Sequence, residues 1–187
     1  LVLVTKSLQI SVVLAGILLM SLPTAAGDDS ALSDLQKKGV VYRMYADGKK
    51  DFPEVKDLSP QEVMERMNKG GLVLVDTRKP AEMQVSMLPG AITKKEFLVE
   101  PNRYKGLTVV SYCTISYRSG VFAREMAKEG IPLYNLKGGI LAWTLEGGRV
   151  YDPQGRKTQR IHVFGKKWNY APDGYQTVMF SLWEQLF

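Results

Sequence analysis

Two nearly continuous apolar runs, Leu72-Val73-Leu74-Val75 and Leu107-Thr108-Val109-Val110-Ser111-Tyr112, narrow the fold more than any other feature of the chain. Runs of this length suit strands buried on both faces, as in a parallel sheet covered by helices. The segments around them agree. Ser59-Pro60-Gln61-Glu62 supplies an N-cap, a proline at the first helical position and a glutamate three residues after the cap. A helix is therefore expected from Pro60 to about Lys69, stopped by Gly70-Gly71. Gly120 to Glu129 is expected as a further helix with Val121, Phe122 and Met126 on one side, and Leu133-Tyr134-Asn135-Leu136 as a third strand. Gly138-Gly139 then leads a helical stretch through Trp143. Upstream, Val40 to Tyr45 reads as a short strand or hairpin ahead of a turn at Asp47-Gly48. Strands alternating with helices across short loops define an α/β fold whose site lies beyond the carboxyl ends of the strands. Two polar clusters stand there, Asp76-Thr77-Arg78 and Cys113 to Arg118.

Composition then removes several kinds of chemistry. The 187 residues include one cysteine, Cys113, and one histidine, His162. An internal disulfide, a cysteine-rich zinc site, an iron-sulfur cluster, a two-cysteine redox motif and a multi-histidine metal site are all excluded within one chain. The formal net charge of +6 is modest and dispersed, which suits an anionic small molecule better than a nucleic acid.

The chain divides by composition into four parts. Ser7 to Leu22 is uncharged and follows Lys6, and Pro23-Thr24-Ala25-Ala26-Gly27 precedes an acidic stretch. That is the layout of a secretory signal peptide spanning residues 1–26 and cleaved after Ala26, with a retained membrane anchor as the alternative. The expected location is the periplasm or the exterior, with membrane attachment only if the segment is kept. Residues 27–57 read as an N-terminal extension, 58–148 as the main domain and 149–187 as a basic and aromatic C-terminal extension. Interleaved aromatic and basic residues can bind single-stranded nucleic acid, but an exported protein seldom meets it, and packing on the domain is the simpler expectation. Met179, Leu182, Trp183 and Leu186 recur at helical spacing, so a short helix is expected over the last nine residues, capping the core or meeting a partner.

Cys113-Thr114-Ile115-Ser116-Tyr117-Arg118-Ser119-Gly120 joins a buried strand to a helix. Such a loop can turn several backbone N–H groups toward one point, where the helix dipole adds positive charge. A thiol at that point is held ready as a nucleophilic thiolate, and the same cradle accepts the anion it attacks.

Four motifs in order now carry a resemblance: Leu74-Val75-Asp76-Thr77-Arg78, Leu88-Pro89-Gly90-Ala91-Ile92, the Cys113 to Gly120 loop, and Leu136-Lys137-Gly138-Gly139 with Ala142-Trp143. From about Leu58 to Gly148 the chain resembles a rhodanese-like sulfurtransferase domain. The resemblance implies a three-layer α/β fold with a parallel sheet flanked by helices, and a Cys113 persulfide as the sulfur carrier. It implies that backbone groups from Thr114 through Ile115, Ser116 and Tyr117 to Ser119 hold the persulfide, while Arg118 reaches the anion or braces the loop. Arg78 either lies near the donor anion or pairs with a neighbouring acid, and Asp76 orients backbone or arginine groups. The donor is expected to be a small sulfur anion or a persulfide, the acceptor cyanide or a thiol that can belong to a protein, with no metal or cofactor. Resembling phosphatases place five residues between cysteine and arginine, whereas four, Thr114 to Tyr117, stand here. Three departures are specific to this chain: Ser116 occupies a place where glycine is common, Ser86-Met87-Leu88 replaces Gly-His-Ile, and the loop interior is uncharged, with Ile115 and Tyr117 as an apolar rim. A catalytically silent binding or regulatory module is the rival expectation. A cysteine hydrolase using His162, 49 residues after Cys113, has no supporting motif.

Overall fold

In the computed structural model, residues 32–186 are described, and the expected export segment, residues 1–26, lies outside the described residues. The first element corrects an expectation. Val40 to Tyr45 is neither strand nor hairpin but the middle of helix α1, Asp34–Lys49. Ser33 caps it reciprocally with Gln36, and Val41 is fully buried against the domain. The β-branched pair Val40-Val41 has a local strand preference, but the cap and the packing of α1 on a later helix outweigh it. The anticipated Asp47-Gly48 turn is instead the last turn of this helix.

Strand β1 (Asp57–Leu58) leads into α2 (Pro60–Lys69), whose capping box forms as expected: Ser59 Oγ accepts the Glu62 N–H at 3.2 Å, and Glu62 Oε2 accepts the Ser59 N–H at 2.8 Å. Then follow β2 (Leu72–Asp76), α3 (Pro80–Met83), β3 (Ile92–Thr93), α4 (Lys94–Val99), β4 (Thr108–Tyr112), α5 (Tyr117–Lys128), β5 (Tyr134–Leu136) and α6 (Gly139–Leu145). The five strands form one sheet in the order β1-β5-β4-β2-β3, and every neighbouring pair is parallel. This is the α/β class that the apolar runs require.

The two runs serve both faces of the sheet. Leu74 and Val110 join Val63, Ile140, Leu141 and Trp143 in one apolar cluster, whereas Val75 and Val109 join Phe97, Phe122 and Met126 in the other. Helices on both sides complete the three layers, and α5 starts at Tyr117, three residues before the expected Gly120.

The C-terminal residues belong to the first cluster. Strand β6 (Val150–Tyr151) pairs antiparallel with β7 (Lys157–Thr158), and β8 (Arg160–His162) pairs parallel with β9 (Gln176–Val178). Val150, Ile161 and Val163 are fully buried with Leu74, Tyr112 and Trp143. Helix α7, Leu182–Leu186, ends the described chain with Leu182 and Trp183 largely exposed, so those two side chains do not cap the core.

Candidate active site

Strand β4 ends at Tyr112, and the next four residues turn the chain into α5. The turn depends on Ser116, which adopts a left-handed backbone at φ 83° where a glycine would be relaxed. Its side chain compensates by donating to the Leu136 carbonyl. The loop carbonyls are tied down on the other side: Cys113 O accepts the Ile140 N–H at 2.9 Å, and Thr114 O accepts the Leu141 N–H at 3.3 Å. Gly139 permits this docking. It has φ 58°, and a Cβ there would lie 2.3 Å from Cys113 O. With its carbonyls so engaged, the loop leaves the backbone N–H groups of residues 115 to 119 without an acceptor among the described residues. They surround the N-terminal end of a helix, where the dipole favours an anion.

Cys113 is 1% exposed and lies on a cavity of about 450 Å³. Thr114, Ile115, Tyr117 and Arg118 line the same cavity, so the structure brings five of the expected residues together. Ser116 and Ser119 have buried side chains turned to other work: Ser119 Oγ donates to Asn135 Oδ1 at 2.7 Å. They contribute backbone alone.

Arg118 is held by Glu82, a residue that the sequence did not single out. Nη1 donates to Glu82 Oε2 at 2.6 Å and Nη2 to Oε1 at 2.8 Å, while Nη2 also reaches Thr114 Oγ1 at 3.0 Å. Thr114 Oγ1 donates in turn to Glu82 Oε1 at 3.1 Å. Burial opposes both charges, but the mutual hydrogen bonds and fields outweigh it. The Glu82 carboxyl is held below its ordinary range, and the Arg118 guanidinium above its own. The signal for Glu82 was legible in part: Pro80 at the first helical position and Glu82 two residues later form a capping pattern over Lys79, whose N–H donates to Glu82 Oε2 at 2.8 Å.

Of the two roles expected for Arg78, the structure shows the pair with a neighbouring acid. Its side chain is fully buried, with Nη2 donating to Asp76 Oδ2 and to the Ser86 carbonyl, both at 2.6 Å. Tyr112 closes this buried group: its hydroxyl donates to Asp76 Oδ2 at 2.6 Å and accepts the Leu88 N–H at 3.1 Å. Burial first, and the Asp76 charge second, push the Tyr112 phenol well above its ordinary value, so it remains a donor. Asp76 and Arg78 thus brace the end of β2 behind the loop.

The remaining walls come from outside the central segment. Met44, Asp47 and Gly48 of α1 and Phe164, Lys167 and Trp168 of the tail complete the cavity. Gly48 lets α1 approach closely, since a Cβ there would sit 3.0 Å from the Tyr117 ring. The Arg118 guanidinium carbon lies 5.0 Å from the centre of the Phe164 ring, a cation–π contact. His162 sits beneath this wall, 2% exposed, with Nδ1 accepting the Phe164 N–H at 3.0 Å. Burial pushes its imidazole below the ordinary value, so it is neutral and structural.

A five-stranded parallel sheet with a cysteine loop running into a helix N-terminus defines a class, and comparison agrees with it. Residues 59–146 match the family described as the rhodanese-like domain. A curated protein of Allochromatium vinosum named sulfurtransferase is 35% identical over 89 residues, covering 45% of this chain and 82% of that protein. The chain belongs to the rhodanese-like family. Among solved structures, the thiosulfate sulfurtransferase of Pseudomonas aeruginosa superposes with a TM-score of 0.50 at 22% identity, over 66% of this chain. The chain spans 24% of that enzyme's length, and the likeness is one of fold.

Proposed function

We propose that this protein is a sulfurtransferase that carries a sulfane sulfur on Cys113. The observation that carries the reading is the position of Cys113: lining a cavity, in the loop that opens a helix, with five backbone N–H groups of that loop lacking an acceptor among the described residues. The activity named for the Allochromatium relative supports it. Thiolate Cys113 attacks the outer sulfur of thiosulfate, a polysulfide or another persulfide. The donor's S–S bond breaks, sulfite or a thiolate leaves, and a Cys113 persulfide remains. The backbone N–H groups stabilise the charge on the terminal sulfur as an oxyanion hole does, with Arg118 bracing the loop through Glu82 and Thr114. Cyanide or an acceptor thiol, including one on a protein, then removes the sulfur and restores the thiolate. The uncharged run from Ser7 to Leu22 supports export as the setting, testable by N-terminal sequencing of the mature protein.

Intact mass after thiosulfate or polysulfide tests the transfer, with Cys113→Ser alongside. A gain of one sulfur, absent from the variant and lost on adding cyanide, is the expected result. No gain from either donor leaves a binding or regulatory module as the better reading.

A further inference from the structure

The cavity over Cys113 is a poor container for a small dianion. Met44, Ile115, Phe164 and Trp168 present carbon to it, together with the ring of Tyr117. A thiosulfate whose outer sulfur occupies the backbone N–H cradle at Cys113 leaves its sulfonate oxygens against these carbons, exchanging water for hydrocarbon, which is unfavourable without further donors. The cation on the loop offers little to it, because Arg118 engages three of its N–H groups with Glu82 and Thr114 and its charge is balanced by the Glu82 carboxylate. The other lining cation, Lys167, is exposed to water and stands 5.7 Å from the Trp168 ring. The volume of about 450 Å³ lies in the range of pockets that enclose organic ligands, about 300–1,000 Å³.

The backbone adds an independent observation. Phe164 is one of two non-glycine residues with positive φ among the described residues, at 63°, a conformation costly for a bulky side chain. It persists because its surroundings fix it. His162 accepts its N–H, and Trp168 and Phe180 both stand edge-on to its ring at 5.3 Å. Strain of this kind is characteristically held at working sites. Here it sets an aromatic ring over Arg118, on the wall of the cavity that contains the cysteine.

We propose that the sulfur donor is a low-molecular-weight organic persulfide with an apolar body, selected over thiosulfate by Phe164 and Trp168. The proposal rests on sulfur transfer through Cys113. Thiolate Cys113 attacks the terminal sulfur of R–S–SH, a bond forms between Sγ and that sulfur, the donor S–S bond breaks, and R–S⁻ departs. Cys113 ends as Cys–S–SH with no net oxidation, and the R group lies against Met44, Ile115, Phe164 and Trp168 throughout.

The test uses the full chain and persulfides of linear thiols with two, four and six carbons, with thiosulfate as the comparison. Loading of one sulfur is followed by intact mass under single-turnover conditions. The expected result is a second-order loading constant that rises roughly threefold for each added methylene, with the six-carbon donor well ahead of thiosulfate. Trp168→Ala flattens that rise, and Trp168→Phe keeps most of it. The wild-type series needs no variant, so it stands even where Trp168→Ala folds poorly. Equal constants along the series, or thiosulfate ahead of every persulfide, overturn the substrate class while leaving Cys113 as a sulfur carrier. Failure of every donor to load Cys113 overturns the transfer reading and this one with it.

Discussion

Residues 59–146 and the segments on either side of them contribute unlike things to one cavity. The family-matched segment supplies the cysteine, the free backbone N–H groups and the Glu82–Arg118 brace, fixed by bonds that reach α3, α6 and β5. The flanks supply surface: Met44 and Gly48 from α1, Phe164 and Trp168 from the tail. The reacting group must be held to within fractions of an ångström, so its loop is pinned from several directions. Walls need only shape and polarity. With sulfur transfer and donor choice as proposed, chemistry and selectivity reside in different stretches of the chain, and the two can be perturbed separately.

The largest expected effect falls on the matched segment. Gly139→Ala places a methyl against Cys113 O at a position with positive φ, so it displaces the loop from α6. Loss of about 2 to 4 kcal/mol in urea denaturation, together with loss of sulfur loading, is expected. Wild-type stability in this variant would show that the loop does not depend on α6.

Glu82→Gln comes next and strikes the contact between loop and brace. It leaves the Arg118 charge half-buried and unbalanced, at a cost of about 2 kcal/mol, less than for a fully enclosed ion because Arg118 is one-third exposed. It also releases a cation toward the cavity. Thiosulfate should then gain on organic persulfides in competitive loading, and an unchanged ratio would separate Arg118 from donor choice.

The smallest effect belongs to the flank. His162 is held below its ordinary value in the folded protein, so the unfolded chain binds a proton that the folded one refuses. Stability therefore falls as pH drops through 6.5 toward the folded value, with a slope of at most about 1.4 kcal/mol per pH unit from this group. The dependence fades as pH rises beyond 6.5, where the unfolded imidazole also loses its proton. His162→Asn should remove that slope from denaturation curves taken between pH 7.5 and 5.5, whatever it does to absolute stability.

The parallel sheet was readable because its strands are apolar on both faces and its helices carry local stop and start signals. Leu72 to Val75, Thr108 to Tyr112 and the Ser59 cap stand where their patterns place them. Helix α1 was not readable in the same way, since Val40 to Tyr45 looks like a strand to local propensity and its fate depends on a cap seven residues earlier and on α6 behind it. Within the site, Cys113, Thr114, Ile115, Tyr117 and Arg118 were legible because they fall within one six-residue stretch. For Arg78 the sequence leaves two roles open, near the anion or paired with an acid, and Asp76 two residues away holds it in a buried pair. Glu82 and Phe164 lie 31 residues before and 51 residues after the cysteine, and no local pattern couples residues that far apart.

By itself the sequence determined the fold class, the proposed nucleophile and the length of its loop, because each depends on residues adjacent in the chain: apolar runs, a cap, a cysteine and an arginine five positions on. Tertiary structure alone decided what surrounds the sulfur. Arg118 could have faced an anion, and it faces Glu82 because α3 packs under the loop. The cavity walls are apolar because α1 and the tail bury Val41, Ile161 and Val163 in the same core, and that burial carries Met44, Phe164 and Trp168 to the mouth of the loop. Hydrophobic burial has no directional code in the chain, so which distant residues it delivers to a site emerges only when the core is closed.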